Sequence, residues 1–79
     1  MIYKINNIDY VYESQVFKSI NNRIDKYVIV DVINKKVLEG WPTYTQAYHF
    51  CDVINEHSKR HSLNEKFEVY DNPLFVRKE

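Results

Sequence analysis

The chain contains one cysteine, one glycine and two prolines, and it carries no net charge. Each scarcity closes a class of explanation. With Cys51 alone there is no intrachain disulfide and no metal site built purely from cysteine, and such usage suits a reducing compartment. A single glycine, Gly40, excludes a glycine-rich loop that would wrap backbone amides around a phosphate. Eleven basic residues against eleven acidic ones leave no whole-molecule field to attract a nucleic acid, so any phosphate contact has to come from a local patch. No run approaches the roughly 18 consecutive apolar residues of a membrane span, and no basic segment followed by a long apolar stretch opens the chain. The expected location is the cytoplasm, and no membrane partner is expected.

What is present fits one small domain over residues 1–79: 44% of the chain is apolar, enough for a core but not a large one. Asn, Ile, Lys and Tyr are abundant, as AT-rich codons supply, which suggests a gene from a low-GC bacterium or one of its phages.

Along the chain, MIYKI (1–5) reads as a strand, Asn6, Asn7 and Asp9 as turn formers, and YVYESQVF (10–17) as a second strand. KYVIVDVI (26–33) is rich in β-branched residues and has no breaker, so it reads as the central strand. Asn34-Lys35-Lys36 turns it into KVLEG (36–40). Thr43 and Gln46 have the spacing of a capping box, so a helix is expected from Tyr44 to about Arg60, where Lys59, Arg60 and His61 suit the negative end of its dipole. KFEVYD (66–71) reads as the last strand, and residues 72–79 form a tail that either packs or frays. The expected fold class is α+β, a small antiparallel sheet of four or five strands on one helix in the order β-β-β-β-α-β.

The helix places Tyr44, Ala47, Cys51 and Ile54 in one arc, with Tyr48 and Phe50 at its margins. Its expected partner is the Val28, Val30, Val32 side of the central strand with Phe67 and Val69. The opposite side then presents Tyr27 and Ile29 beside Tyr70, a surplus apolar face that one helix cannot cover. Three occupants fit it: the tail with Leu74 and Phe75 together with the first hairpin, a protein partner or second copy, or stacked nucleic-acid bases. Tyrosine favours an interface because it gives large contact area at low conformational cost.

Chemistry finds little support. Cys51 lies on the inward arc, and His49 is about 200° around the helix from it, so the two do not form a nucleophile and base. His57 and His61 are four apart, but the intervening residues lack the glutamate of a zinc hydrolase, and they read as surface histidines near a helix end. No catalytic residue, metal ligand or cofactor is assigned. Trp41 before Pro42 reads as a staple closing one end of the core, with an anchor in a partner's pocket as the alternative.

The segment YVIVDVINKKVLEGWPTYTQAYHFCDVIN (27–55) resembles a hairpin, threonine-capped helix and strand pattern of small phage and prophage accessory proteins. That resemblance implies a non-enzymatic protein that binds and disables a host protein or complex, including the anti-CRISPR type, by occlusion or induced oligomerisation. The expected partner-binding residues are Tyr27, Ile29, Tyr70, Trp41 and Phe50, in a homodimer or a complex with a host protein. The alternative is a single-stranded nucleic-acid binder that stacks bases on the tyrosine face, ringed by Lys35, Lys36, Lys59, Arg60 and Lys66.

Overall fold

The computed structural model describes residues 1–77. Seven elements follow one another: β1 (Ile2–Ile5), β2 (Ile8–Val11), α1 (Ser14–Ser19), β3 (Tyr27–Asp31), β4 (Lys36–Trp41), α2 (Tyr44–Arg60) and β5 (Phe67–Asp71). The strands form one sheet in the order β1-β2-β4-β3-β5, antiparallel except where β2 runs parallel to β4. The fold is therefore α+β with a mixed five-stranded sheet and two helices, where one helix and a purely antiparallel sheet were expected.

The first departure is local. Asn6 and Asn7 both have positive φ, 51° and 65°, the backbone of a two-residue hairpin turn that asparagine tolerates better than most residues. The turn is thus tighter than the sequence suggested, and β2 ends at Val11. Residues 14–17, expected to continue that strand, instead belong to helix α1, which runs on to Ser19. A six-residue helix has little stability of its own, and α1 has no side-chain N-cap. Packing holds it: the Phe17 ring stacks on Tyr3 and meets Tyr12 edge-on, with centroids 6.2 and 6.1 Å apart.

α2 follows expectation closely. Thr43 Oγ1 accepts from the Gln46 amide at 3.3 Å and donates to Gln46 Oε1 at 2.9 Å, so the glutamine braces the cap hydroxyl instead of reaching the cap amide. The helix ends at Arg60 with basic residues in its last turn. Gly40 earns its place by proximity: a Cβ there would lie 2.9 Å from Asp25 Cβ and 3.0 Å from Ile20 Cγ2, so only glycine lets the segment after α1 close onto β4.

The second departure concerns the faces of the sheet. β3 and β5 pair as Ile29↔Val69 and Val28↔Tyr70, which puts Phe67 and Val69 on the side of Tyr27 and Ile29. That side carries α2, with a core of Ile29, Ala47, Cys51 and Phe67. Val28 and Val30 lie on the other side. Phasing two strands by one residue exchanges their faces, so the expected partnership of the valines with Phe67, Val69 and the helix is reversed.

The valine face is not left open. It forms a second core with Ile5, Tyr10, Tyr12, Ile20 and Val37, against which α1 and Leu74 of the tail also pack. In a flat sheet β2 and β5 would stand about 14 Å apart, three strand spacings. The rings of Tyr10 and Tyr70 nevertheless approach to 6.4 Å, so the first hairpin curls across the sheet. A register shift between Ile29 and Val30, which leaves Leu38 as the extra residue of β4, adds to this curl.

The tail is held through residue 76 by hydrogen bonds. The buried Asn72 side chain donates to Asn22 Oδ1 and to the Asp25 carbonyl, while the Val76 amide donates to the Asn22 carbonyl. The last two positions of the expected tail, 78 and 79, lie outside the described residues.

Tyr12 is 1% exposed and its hydroxyl has no hydrogen-bond partner among the described residues; burial, with a smaller contribution from Tyr3, pushes the phenol up to about 12. An unpaired buried hydroxyl costs stability, so Tyr12→Phe is expected to raise the unfolding free energy by about 1 kcal/mol in urea denaturation. A loss of similar size would mean that the hydroxyl is held by a partner.

Candidate functional site

Helix α2 is fixed to the sheet at two levels. Ala47 and Cys51 are buried against Ile29 and Phe67. One turn further on, the Asn55 carboxamide pairs with the β5 backbone: its Nδ2 donates to the Phe67 carbonyl at 2.9 Å and its Oδ1 accepts from the Phe67 amide at 2.8 Å. The helix is thereby held in a set position along the outer margin of the sheet.

On that margin the helix presents Tyr44 and Tyr48, four residues apart and hence neighbours on its surface. They are 53% and 59% exposed, their rings stack at 6.0 Å, and Tyr27 meets Tyr44 edge-on at 5.6 Å. Beside them runs a groove of about 270 Å³ between α2 and β5, walled by Tyr44, Tyr48 and Asp52 on the helix side and by Phe67, Glu68 and Val69 on the strand side. Its charged residues are both acidic.

Cys51 lines the same groove without the character of a nucleophile. Burial pushes its thiol up, the carboxylates of Glu68 and Asp52 push it further, and the Asn55 amide that donates to Sγ at 3.6 Å only partly opposes them. The thiol therefore stays protonated at neutral pH.

The residues expected to form one binding face are dispersed. Ile29 is 0% exposed beneath α2 and is a core residue, which corrects its assignment to an open face. Tyr70 is half-buried on the opposite side of the sheet against Tyr10. Trp41 and Phe50 are half-buried against each other at 5.6 Å, and Trp41 Nε1 donates to Glu39 Oε1 at 2.6 Å, so the pair closes one end of the helix-side core. Of the five, Tyr27 alone joins the tyrosine surface. Tyr44 and Tyr48 had been placed on the inward arc or at its margin; their spacing of four and the wider exposure of an edge helix are the signals that point outward.

The cations of the alternative reading do collect at one end. Asn34 Nδ2 donates to the Asn64 carbonyl at 3.1 Å, which brings the turn bearing Lys35 and Lys36 to the loop that joins Lys59 and Arg60 to Lys66. Lys36 is paired with Glu13 at 3.6 Å, Arg60 with Glu56 at 3.5 Å, and Lys35 Nζ donates to the Val32 carbonyl. Of the tyrosines expected as a stacking platform, Tyr70 is half-buried against Tyr10 on the valine face, which the second core fills, while Tyr27 lies on the helix side of the sheet.

A second cleft, about 830 Å³, opens between the 23–27 segment and the tail, lined by Arg23, Lys26, Tyr27, Phe75 and Arg77 among others, with Lys26 Nζ 5.9 Å from the Phe75 ring centre. His57 and His61, exposed at the C-terminal end of α2, lie with ring centres 4.4 Å apart and planes tilted by 46°, and among the described residues no three His, Cys, Asp or Glu side chains gather as metal ligands. Among the same residues no helix is long and apolar enough to cross a membrane.

No family model matches the chain, and comparison with curated proteins and with solved structures finds none similar to it.

Proposed function

We propose that the protein is a non-enzymatic protein-binding module whose contact surface is the tyrosine cluster of α2 beside the edge strand β5. The observation that carries this reading is the stack of Tyr44 on Tyr48, each more than half exposed, with Tyr27 against it, on a helix fixed to the sheet by the Ala47 and Cys51 contacts and by the Asn55 carboxamide. Exposed aromatics that pack on one another need no further ordering to bind, and tyrosines of this kind are common anchors of interfaces. The groove alongside gives a partner side chain somewhere to enter. The resemblance over residues 27–55 supplies the biological half of the reading: a phage-type accessory protein, acting in the cytoplasm, that covers a functional surface of a host protein. With the valine face filled by the first hairpin, this same margin is the surface proposed for a homodimer.

The double variant Tyr44→Ser, Tyr48→Ser tests the reading. Both side chains lie outside the buried cores, so the melting temperature is expected to move by no more than a few degrees, as for other surface changes. Loss of two interface tyrosines is expected to weaken partner binding by roughly 1,000-fold, at about 2 kcal/mol per hot spot. The measurement is capture of partners from nuclease-treated lysate of a low-GC bacterium by wild-type and variant protein. Retention of the same stoichiometric partner by the variant contradicts the proposal.

The rival, a single-strand nucleic-acid binder, has one observation in its favour, the Arg23, Lys26 and Arg77 cleft with two aromatic rings in its wall. Binding there would weaken steeply with salt and disappear on nuclease treatment.

A further inference from the structure

The edge of β5 is a half-made sheet pairing. The Val32 amide donates to the Lys66 carbonyl and the Asn72 amide to the Lys26 carbonyl, both at 2.8 Å. In between, Glu68 stands opposite Val30 and Tyr70 opposite Val28. Hydrogen bonding alternates along an antiparallel pair, so residues 66, 68, 70 and 72 turn their backbone groups toward β3, and Phe67, Val69 and Asp71 turn theirs away from it. Strand β5 is last in the sheet order, so among the described residues no strand lies on that side. The outward pair of Phe67 is closed by the Asn55 carboxamide, which supplies one donor and one acceptor as a neighbouring strand's peptide group would. Among the described residues Val69 and Asp71 have no such cover.

Natural sheets blunt open edges with charges, prolines or short strands. Here the open portion instead lies where two grooves meet. On the helix side is the groove of Tyr48, Asp52 and Glu68. On the other side, where the curled hairpin brings the end of β1 near β5, a groove of about 410 Å³ is lined by Ile5, Asn6, Tyr70 and Pro73 together with Lys4, Val69 and Asp71. Lys4 of that groove is paired with Asp9 at 3.8 Å.

We infer that β5 is a docking edge for an extended peptide segment of alternating basic and aliphatic residues, which joins the sheet as a sixth strand by pairing with Val69 and Asp71. The inference rests on the protein-binding reading and specifies the class of partner. Side chains of an added strand alternate between the two faces. Those on the helix side meet the Asp52 carboxylate and the Tyr48 ring, in a groove whose only charged lining residues among those described are Asp52 and Glu68, so lysine or arginine fits there by charge complementarity and cation–π contact. Those on the opposite side meet Ile5, Tyr70 and Pro73, which suits an aliphatic side chain.

The probe is a fluorescein-labelled hexapeptide of alternating lysine and valine, compared with the same peptide in which glutamate replaces lysine and with one N-methylated at alternate backbone positions. Anisotropy reports binding, and amide hydrogen exchange of the labelled protein reports where it occurs. The lysine peptide is expected to slow exchange at Val69 and Asp71 by about tenfold or more, while the glutamate and N-methylated peptides bind at least about tenfold more weakly, the loss of roughly one strong contact. Val69→Pro, which removes an outward amide from an edge strand where proline is tolerated, and Asp52→Lys are expected to weaken the lysine peptide by a similar factor. The N-methylated peptide makes the test independent of how well the proline variant folds. Binding without protection of Val69 and Asp71, or equal binding of the N-methylated peptide, overturns the inference. So does protection of these amides that rises with protein concentration alone, which would assign the edge to a second copy. A partner lost by the Tyr44, Tyr48 double variant yet kept by Val69→Pro overturns strand addition and leaves the protein-binding reading standing. A partner kept by the double variant overturns that reading, and strand addition with it.

Discussion

Asp31→Ala is expected to remove about 3 kcal/mol of stability, a large share of what a chain this small possesses. Asp31 is buried at the end of β3, and its carboxylate gathers four donors. Oδ1 accepts from the amides of Ile33, Asn34 and Lys66 at 3.0, 3.1 and 3.5 Å, and Oδ2 accepts from Asn34 Nδ2 at 2.6 Å. One side chain thus forms the β3–β4 turn and ties it to the start of β5. Burial alone would raise this carboxyl, but the hydrogen bonds from Asn34, Ile33 and Lys66 together outweigh it and hold the group below its ordinary value. Because the folded value is the lower one, the stabilisation is complete above the unfolded carboxylate value of about 3.9 and is lost as pH falls from there through the folded value. Urea titrations at pH 7 and pH 3 are therefore expected to show a wider gap between wild type and variant at pH 7. An equal gap at both values would mean that the charge is not what holds the turn.

Asn55→Leu is expected to cost about 2–3 kcal/mol, because an apolar side chain of similar length leaves the amide and carbonyl of Phe67 without their partner. Phe67 is 5% exposed, so water reaches these groups poorly and cannot make up the loss. The same change lengthens the open edge of β5 by one residue. Two readouts follow from one variant: a lower denaturation midpoint, and faster hydrogen exchange at the Phe67 amide than at the amide of Tyr70, which faces β3. A variant as stable as wild type would show that the helix is held to β5 by its apolar contacts alone.

The sequence made some of this legible and concealed the rest for identifiable reasons. α2 was readable from its start at Tyr44 to its approximate end because Thr43, Gln46 and the closing cations are local signals that act within a turn or two of chain. The central strand was readable because Val28, Ile29 and Val30 are β-branched and uninterrupted. α1 was not, since SQVFKS has no cap of its own and is held by Phe17 packing on nearby Tyr12 and on Tyr3, which is distant in the chain. The faces of β3 were misassigned because both are apolar, and the alternation that usually marks a buried side is missing in YVIV. The binding surface failed for the same reason: with Ile29 moved under the helix and Tyr70 to the second core, the surplus apolar face disappears into the curled hairpin. The position of β5 at an edge depends on the order of strands, which residues 66–71 do not encode by themselves.

The measurement that tests the central claim most directly is chemical-shift mapping of the isotope-labelled protein on addition of its captured, purified partner. The α2–β5 margin as a protein-binding surface predicts perturbations concentrated at residues 44–52 and 67–71, with Tyr44, Tyr48 and Val69 among the largest. Perturbations centred on Arg23, Lys26 and Arg77, or on Lys59 and Lys66, with Tyr44 and Tyr48 unmoved, would contradict it.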